Sequence, residues 1–208
     1  MPILPSQFAG LYLVTPDWDD TDRLLAVSEQ AIQGGARLLQ YRHKFADIKL
    51  RMQQACALQS LCQRYAIPFI INDHIELCLA LDADGIHVGG TDASVAEARA
   101  QVGSDKIVGA SCYGDIQRAH AAQQAGASYV AFGGFYPSRV KQYPVTTPSS
   151  IISEANTQIT LPNVVIGGMT VDNARPLVQA GANMVAAISS IYLADDPKAS
   201  AKAFAALF

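Results

Sequence analysis

The chain has 208 residues, half of them apolar, and a formal net charge of −3. That length suits one domain, residues 1–208, with a large core, and the charge gives no reason to expect a nucleic-acid or anionic-membrane partner. No apolar run reaches the ~18 residues a spanning helix needs, and MPILPSQFAG has no basic region followed by an apolar stretch, so no secretory leader is expected.

In chain order, LYLVT (11–15) reads as the first strand and is followed by an amphipathic helix at 19–34. RLLQY (37–41) is the second strand; it runs into Arg42-His43-Lys44 before a helix at 46–66. PFIIN (68–72) ends in Asn72-Asp73, with a short helix at 74–81, and GIHV (85–88) ends in Gly89-Gly90-Thr91-Asp92, with a helix at 92–102. KIVGA (106–110) leads to Ser111-Cys112-Tyr113 and a helix at 115–125. SYVAF (128–132) enters the one long polar loop, GGFYPSRVKQYPVTT (133–147), before a helix at 148–157. Loops of that length in compact domains are often functional lids. NVVIG (163–167) continues into Gly168, with a helix at 171–181, and NMVAAI (183–188) ends at Ser189-Ser190, with a last helix at 195–207.

Several helices end in Gly-Ala directly before a strand, at Gly34-Gly35-Ala36, Gly126-Ala127 and Gly181-Ala182, with Asp82-Ala83-Asp84-Gly85 a weaker copy. The glycine fits a helix C-terminus that needs positive φ. The strands are almost continuously apolar, as expected of a parallel sheet covered on both faces. Eight alternating units predict an α/β fold of the single-domain (β/α)8 TIM-barrel type. A doubly wound open sheet is the alternative, disfavoured because no G-x-G-x-x-G follows the first strand.

Barrel chemistry gathers at the C-terminal strand ends. Arg42, Lys44, Arg139 and Lys141 suit phosphate groups. Gly167-Gly168 and Ser189-Ser190 follow strands 7 and 8, where backbone N–H groups often hold a phosphate. Asp73 and Asp92 offer oxygen ligands that suit Mg²⁺. Together these imply two anionic small-molecule substrates, one a diphosphate carried with Mg²⁺.

Plainer readings exist for each. Asp73 and Asp92 also suit helix N-caps. Arg42 and Lys44 also read as solvated loop charges, and Gly167-Gly168 as a tight turn. His87, mid-strand, reads as a packed core histidine. A Schiff-base role for Lys44 or Lys141, and a nucleophilic role for Cys112, have little support, because the lysines sit in loops and no base pairs with the thiol. Cys56, Cys62, Cys78 and Cys112 form no C-x-x-C pair, so reduced thiols and a cytoplasmic location are expected.

The motifs resemble those of the thiamine-phosphate synthase family nearly end to end. LYLVTPD stands for the family's LYLVTD, QYRHK (Gln40 to Lys44) for Q-x-R-x-K, and IND…ADGIHVGGTD for IND…ADGVHLGQxD. YVAFGGFYPSRVK stands for YVxxGPxFPTxTK, and IGGM (Ile166 to Met169) for IGGI. The resemblance implies condensation of a pyrimidine methyl diphosphate with a thiazole phosphate, giving thiamine phosphate and pyrophosphate with Mg²⁺ as cofactor. It implies that the segment Gln40, Tyr41, Arg42, His43 and Lys44, with Asn72, Ser111 and Lys141, holds the pyrimidine diphosphate. Arg42, Ser111 and Lys141 would be its catalytic groups, and Asp73 and Asp92 its metal ligands. Ser138, Arg139, Val140, Gly167, Gly168, Ile188 and Ser189 would line the thiazole phosphate site.

The chain departs from the family's pattern at Ser138 and Val140, which stand for two threonines, at Gly134 for proline and at Gly90 for glutamine. Valine removes one donor from the thiazole side. Two alternatives follow: a thiazole tautomerase-like isomerase, and a non-catalytic barrel that binds a phosphorylated ligand. An unrelated phosphosugar isomerase or aldolase is disfavoured by the lack of an acid–base pair. Nucleic acid and membrane are not expected partners, and a homo-oligomer is left open.

Overall fold

Each of the eight apolar runs becomes a strand: β1 (Gly10–Val14), β2 (Ala36–Tyr41), β3 (Phe69–Asn72), β4 (Gly85–Val88), β5 (Ile107–Tyr113), β6 (Tyr129–Gly133), β7 (Asn163–Ile166) and β8 (Met184–Ala187). All neighbours pair in parallel, and β8 returns to β1, with Tyr12 opposite Ala186, to close the barrel. Between and after them run α1 (Thr21–Gln33), α2 (Ile48–Arg64), α3 (Ile75–Ala80), α4 (Val95–Val102), α5 (Ile116–Gln124), α6 (Ser150–Gln158), α7 (Val171–Gln179), α8 (Ser189–Tyr192) and α9 (Pro197–Ala205). The structure is a computed structural model, described here for residues 8–89, 93–137 and 147–208.

The two-residue period of a strand sorts every side chain into one of two apolar layers. Leu39, Phe69, Ile71, Ile86, Val108, Val130, Phe132 and Val185 face outward and pack with helix residues such as Leu24, Leu58 and Phe204. Inside the barrel sit Tyr12, Val14, Leu38, Ile70, Ile107, Tyr129, Val164 and Met184, with Phe8 among them at the N-terminal end. Both faces are buried, which is why the strands read as continuous apolar runs rather than alternating ones. Each fully buried leucine or phenylalanine contributes about 1.5–3 kcal/mol.

Side chains set where the helices begin. Asp20, Asp47, Ser94, Asp115, Thr170 and Asp196 each accept a backbone N–H from the first helical turn. Those caps place the starts of α1, α2, α4 and α9 two or three residues later than periodicity alone predicts, because an N-cap itself has extended backbone. At the other ends the recurring Gly-Ala does what its sequence suggests. Gly126 (φ +87°) donates to Gln123, and Ala127 donates back to Ala122. That is the left-handed helix stop that needs glycine or a tolerant substitute. In the weaker copy Asp82 takes the same position at φ +48°.

Two differences from the predicted elements bear on function. β5 runs on to Tyr113, past the expected end at 110, so Ser111 lies within the sheet. A short helix, α8, follows β8 directly where only a strand end was expected.

Burial raises the ionisation of Tyr12, Tyr129 and Tyr192 well above the ordinary phenol value of 10.0. A group whose folded pKa is raised contributes stability that is complete below its unfolded pKa and is lost above it. Unfolding free energy is therefore expected to begin falling near pH ~8.5, where the buried thiols of Cys62, Cys78 and Cys112 would ionise on unfolding, and to fall more steeply as pH rises through ~10. Denaturant titrations across that range, read beside tyrosinate absorbance, check this: the buried phenols should ionise only together with unfolding.

Candidate active site

The C-terminal mouth of the barrel forms a cleft. Its floor is apolar, from Val14, Ala131, Val164, Ile166 and Ala186, and its polar wall comes from β2 to β5. Gln40, Arg42, Lys44, Asn72, Asp73, Ser111 and Ile188 all line it. Strand parity explains the set: Arg42, directly after β2, continues the inward face of Gln40 two residues before it, and Asn72 on β3 and Ser111 on β5 point inward likewise.

Parity also corrects two expectations. Tyr41 lies between Gln40 and Arg42, faces the helix layer, and donates to Gln54 Oε1 at 3.0 Å. It lies outside the cleft. His43 is buried in the loop after β2, where its Nδ1 accepts the Ala46 N–H at 3.0 Å and its Nε2 lies 3.0 Å from Asp19 Oδ1. It shapes the β2 loop rather than the cleft wall.

Arg42 is almost fully buried, which for a cation demands a partner. Asp17 supplies it: Nη1 lies 3.0 and 3.1 Å from the two carboxylate oxygens. Thr15 fixes the backbone at that point, since its hydroxyl accepts from the Arg42 N–H at 2.7 Å and donates to the Arg42 carbonyl at 2.9 Å. Arg42 Nε is buried with no hydrogen-bond partner among the described residues. A donor held in that state at the edge of a cleft suits an arriving anion. Lys44 stands beside it, half exposed, with Nζ 3.2 Å from Asp73 Oδ2.

Asp73 does not cap α3. His74 occupies that position and makes no side-chain cap bond. Asp73 instead has φ +63°, donates its N–H to the His87 carbonyl, and accepts from the Asn72 amide. A left-handed backbone at a non-glycine residue costs on the order of 1–3 kcal/mol; here it directs the carboxylate to the mouth. The N-cap of α4 is Ser94, which forms a reciprocal pair with Glu97. Asp92 itself lies outside the described residues, as do Ser138, Arg139, Val140 and Lys141. Among the described residues no cluster of three His, Cys, Asp or Glu is present. One carboxylate beside an arginine and a lysine that suit a phosphate fits Mg²⁺, which keeps several waters and takes phosphate oxygens, rather than a metal caged by protein alone.

On β5 a bulge falls between Ser111 and Tyr113, whose φ is +53°. Ser111 and Tyr113 both line the cleft, as the two-residue period requires, while Cys112 between them faces outward into the core. Burial pushes the Cys112 thiol up to about 12, so the nucleophilic reading does not survive. At β7 the chain turns through Gly167 (φ +111°) and Gly168 (φ +64°). A Cβ on Gly168 would lie 2.2 Å from the Pro137 carbonyl, so the loop after β6 passes directly over this turn. Ser189 opens α8, and the Ser190 hydroxyl donates to the Met169 carbonyl, tying the ends of β7 and β8 together.

The model of a protein family described as thiamine monophosphate synthase matches residues 11–191. A thiamine-phosphate synthase of Janthinobacterium sp. (strain Marseille) is 65% identical over 205 residues, covering 99% of each chain. A thiamine-phosphate synthase of Nitrosomonas eutropha is 42% identical over 96% of this chain and 94% of its own. The chain belongs to the thiamine monophosphate synthase family. Among solved structures, a thiamine phosphate pyrophosphorylase from Pyrococcus furiosus superposes with a TM-score of 0.85 at 26% identity, covering 97% of this chain and 96% of that one.

Within this family member the structure adds groups to which the sequence assigns no part in the site. Asp17, in TPDWDD, partners Arg42. Thr15, at the end of LYLVT, pins the backbone of Arg42. Tyr12, His87 and Tyr129 are joined inside the barrel. The signal for the last three was present: each falls at an inward position of its strand, where a polar group needs a partner.

Two outcomes follow. Cys56 is exposed while Cys62, Cys78 and Cys112 are buried, with thiols pushed up to about 12, 11 and 12. A thiol reagent at pH ~8 should therefore label one cysteine quickly and the rest only on unfolding, as mass spectrometry of the native protein would show. Separately, Asp17→Ala strands a buried guanidinium and should cost about 3–5 kcal/mol. Adding Arg42→Met should recover much of that loss in a denaturant titration.

Proposed function

We propose that this chain forms thiamine phosphate from a pyrimidine methyl diphosphate and a thiazole phosphate. The observation that carries the reading is the convergence of Arg42, Lys44, Asn72, Asp73 and Ser111 on one cleft, in a chain 65% identical to a relative of that name. The unpartnered Arg42 Nε is the group most in need of an anion.

In the reaction the bond between the pyrimidine methylene carbon and the diphosphate oxygen breaks. The electron pair leaves with pyrophosphate. The thiazole ring nitrogen then gives its lone pair to the methylene carbon, forming the new C–N bond. No proton transfer is required at either atom, which fits a cleft whose polar groups are arranged as donors and cations rather than as an acid–base pair.

Arg42 and Lys44 hold the diphosphate and offset the charge that gathers on it as the bond breaks. Asp73, with Asp92, would hold Mg²⁺; bound there, the ion supplies charge neutralisation at the leaving group. The apolar floor of Val14, Ala131, Ile166 and Ala186 keeps water from the electron-deficient carbon. The turn at Gly167-Gly168 and the start of α8 at Ser189 would take the thiazole phosphate, with Ile188 between the two sites, so that the nitrogen faces the methylene carbon. By the family resemblance Ser138 and Val140, in place of two threonines, belong to that side, and Lys141 to the diphosphate. No described helix is long and apolar enough to cross a membrane, and four free cysteines accord with a reducing compartment such as the cytosol.

Purified protein given both substrates should yield thiamine phosphate only when Mg²⁺ is added. Asp73→Asn should lower kcat/KM for the diphosphate on the order of a hundredfold, with unchanged thermal unfolding. Full activity in that variant, or equal turnover in chelator, would remove Asp73 and the metal from the mechanism.

A further inference from the structure

Five polar side chains form one unbroken hydrogen-bonded chain across the barrel interior. Gln40 Nε2 lies 2.6 Å from the Tyr12 hydroxyl, which lies 2.7 Å from that of Tyr129. Tyr129 is 2.9 Å from His87 Nδ1, and His87 Nε2 is 2.9 Å from Ser111 Oγ. Gln40 and Ser111, on β2 and β5, line the cleft, as do Tyr12 and His87 between them, with Tyr129 behind; the three middle members carry no role in the proposed reaction. The setting is closely built. Gly109 opposite leaves space for hydrogen alone, since a Cβ there would stand 2.1 Å from Tyr129 Cζ and 2.6 Å from His87 Nδ1. The His87 ring stacks on Tyr129 with centroids 5.6 Å apart, and Phe8 closes the other side at 5.6 Å.

Counting hydrogens gives this chain a direction. The Gln40 amide nitrogen can only donate, so the Tyr12 oxygen accepts from it and sends its own hydrogen to Tyr129. Tyr129 then donates to His87 Nδ1, which places the imidazole proton on Nε2. Nε2–H donates to Ser111 Oγ, and the Ser111 hydrogen is left for the cleft. At the opposite end the committed amide nitrogen leaves the Gln40 carbonyl oxygen as the acceptor for a ligand. Burial keeps both phenols protonated far above neutral pH, so the chain retains every hydrogen it needs.

We propose that Tyr12, Tyr129 and His87 are positioning residues that set the sense of Gln40 and Ser111, and so select a pyrimidine bearing an amine over one bearing a carbonyl at the same ring position. This rests on the proposed function: the charged diphosphate lies at the rim with Arg42, Lys44 and Asp73, and the ring lies deeper against Gln40. An amine donates to the Gln40 oxygen. A carbonyl would meet it acceptor to acceptor. Turning the amide to relieve that clash would reverse every hydrogen in the chain, move the His87 proton to Nδ1, and turn the Ser111 hydrogen away from the cleft. One wrong group is thereby penalised at both ends.

The test compares kcat/KM for the aminopyrimidine diphosphate and its oxo analogue in wild type, Tyr129→Phe and Tyr12→Phe. Wild type should favour the amine by on the order of 10⁴, the range for sites built to hydrogen-bond one group. Each phenylalanine variant cuts the chain and should lower that ratio at least ~10-fold. A merely structural role would slow both substrates alike, and an unchanged ratio in both variants would overturn the proposal. NMR of isotope-labelled histidine in the folded wild type tests the sense of the chain without turnover, with His87 assigned by loss of its signal in His87→Gln. A proton on Nε2 supports the chain as drawn, and a proton on Nδ1 overturns it. Should wild type make no thiamine phosphate, the proposed function fails, and the His87 tautomer alone decides the chain.

Discussion

Everything at the mouth of this barrel depends on strand parity inside a closed parallel sheet. A side chain pointing inward has no helix to pack against and no free access to water, so it is either apolar or fully partnered. Toward the N-terminal end the inward positions are Leu38, Ile70, Ile107 and Met184. Toward the C-terminal end they become Gln40, Asn72, His87 and Ser111. The same residues that end the strands therefore form the site. A shift of one residue in any strand would exchange, for instance, Gln40 for Leu39 and move a polar group into the helix layer.

Regular backbone is broken at two places, and both fall at the cleft. The bulge on β5 shifts the pairing so that Tyr113 lies opposite Phe132 of β6, while Ser111 and Tyr113 keep facing the mouth and Cys112 the outer core. The left-handed backbone at Asp73 turns a carboxylate away from α3, leaving that helix without a side-chain cap. In each case the local rule is broken beside a polar group at the cleft, and regular structure elsewhere supplies the stability that tolerates it. Arg42 is a third such compromise, a buried cation that Asp17 neutralises through one nitrogen.

Much of this was legible in the sequence because it follows from local rules. The eight strands announced themselves as apolar runs, and the helix stops as Gly-Ala pairs. Gln40, Arg42, Asn72, Asp73 and Ser111 stood out as polar residues where those runs end. What stayed hidden depended on distant partners. Nothing near Tyr12 in sequence points to Tyr129, 117 residues away. His87 reads as a core histidine, and is one, but its two ring nitrogens join β6 to β5. Tyr41 and His43 share the motif that contains Arg42, yet parity and the loop turn send them elsewhere. The short helix α8 has only four residues, too few for a periodic signal.

The buried polar chain also bears on what kind of chemistry the site performs. A relay of Tyr, Tyr, His and Ser resembles a proton wire, but desolvation raises both phenols far above neutral pH, so neither readily gives up its proton. Nor does the reaction call for one, since it exchanges a C–O bond for a C–N bond. A hydrogen-bonded chain that does not conduct is still of use, because its hydrogens have only two self-consistent arrangements. It ties the orientation of an amide on β2 to that of a hydroxyl on β5, on different strands of the barrel, without a change in backbone. Preorganised in this way, the donors at the cleft need not be reoriented while charge develops on the substrate, and that is the condition under which fixed dipoles are most effective.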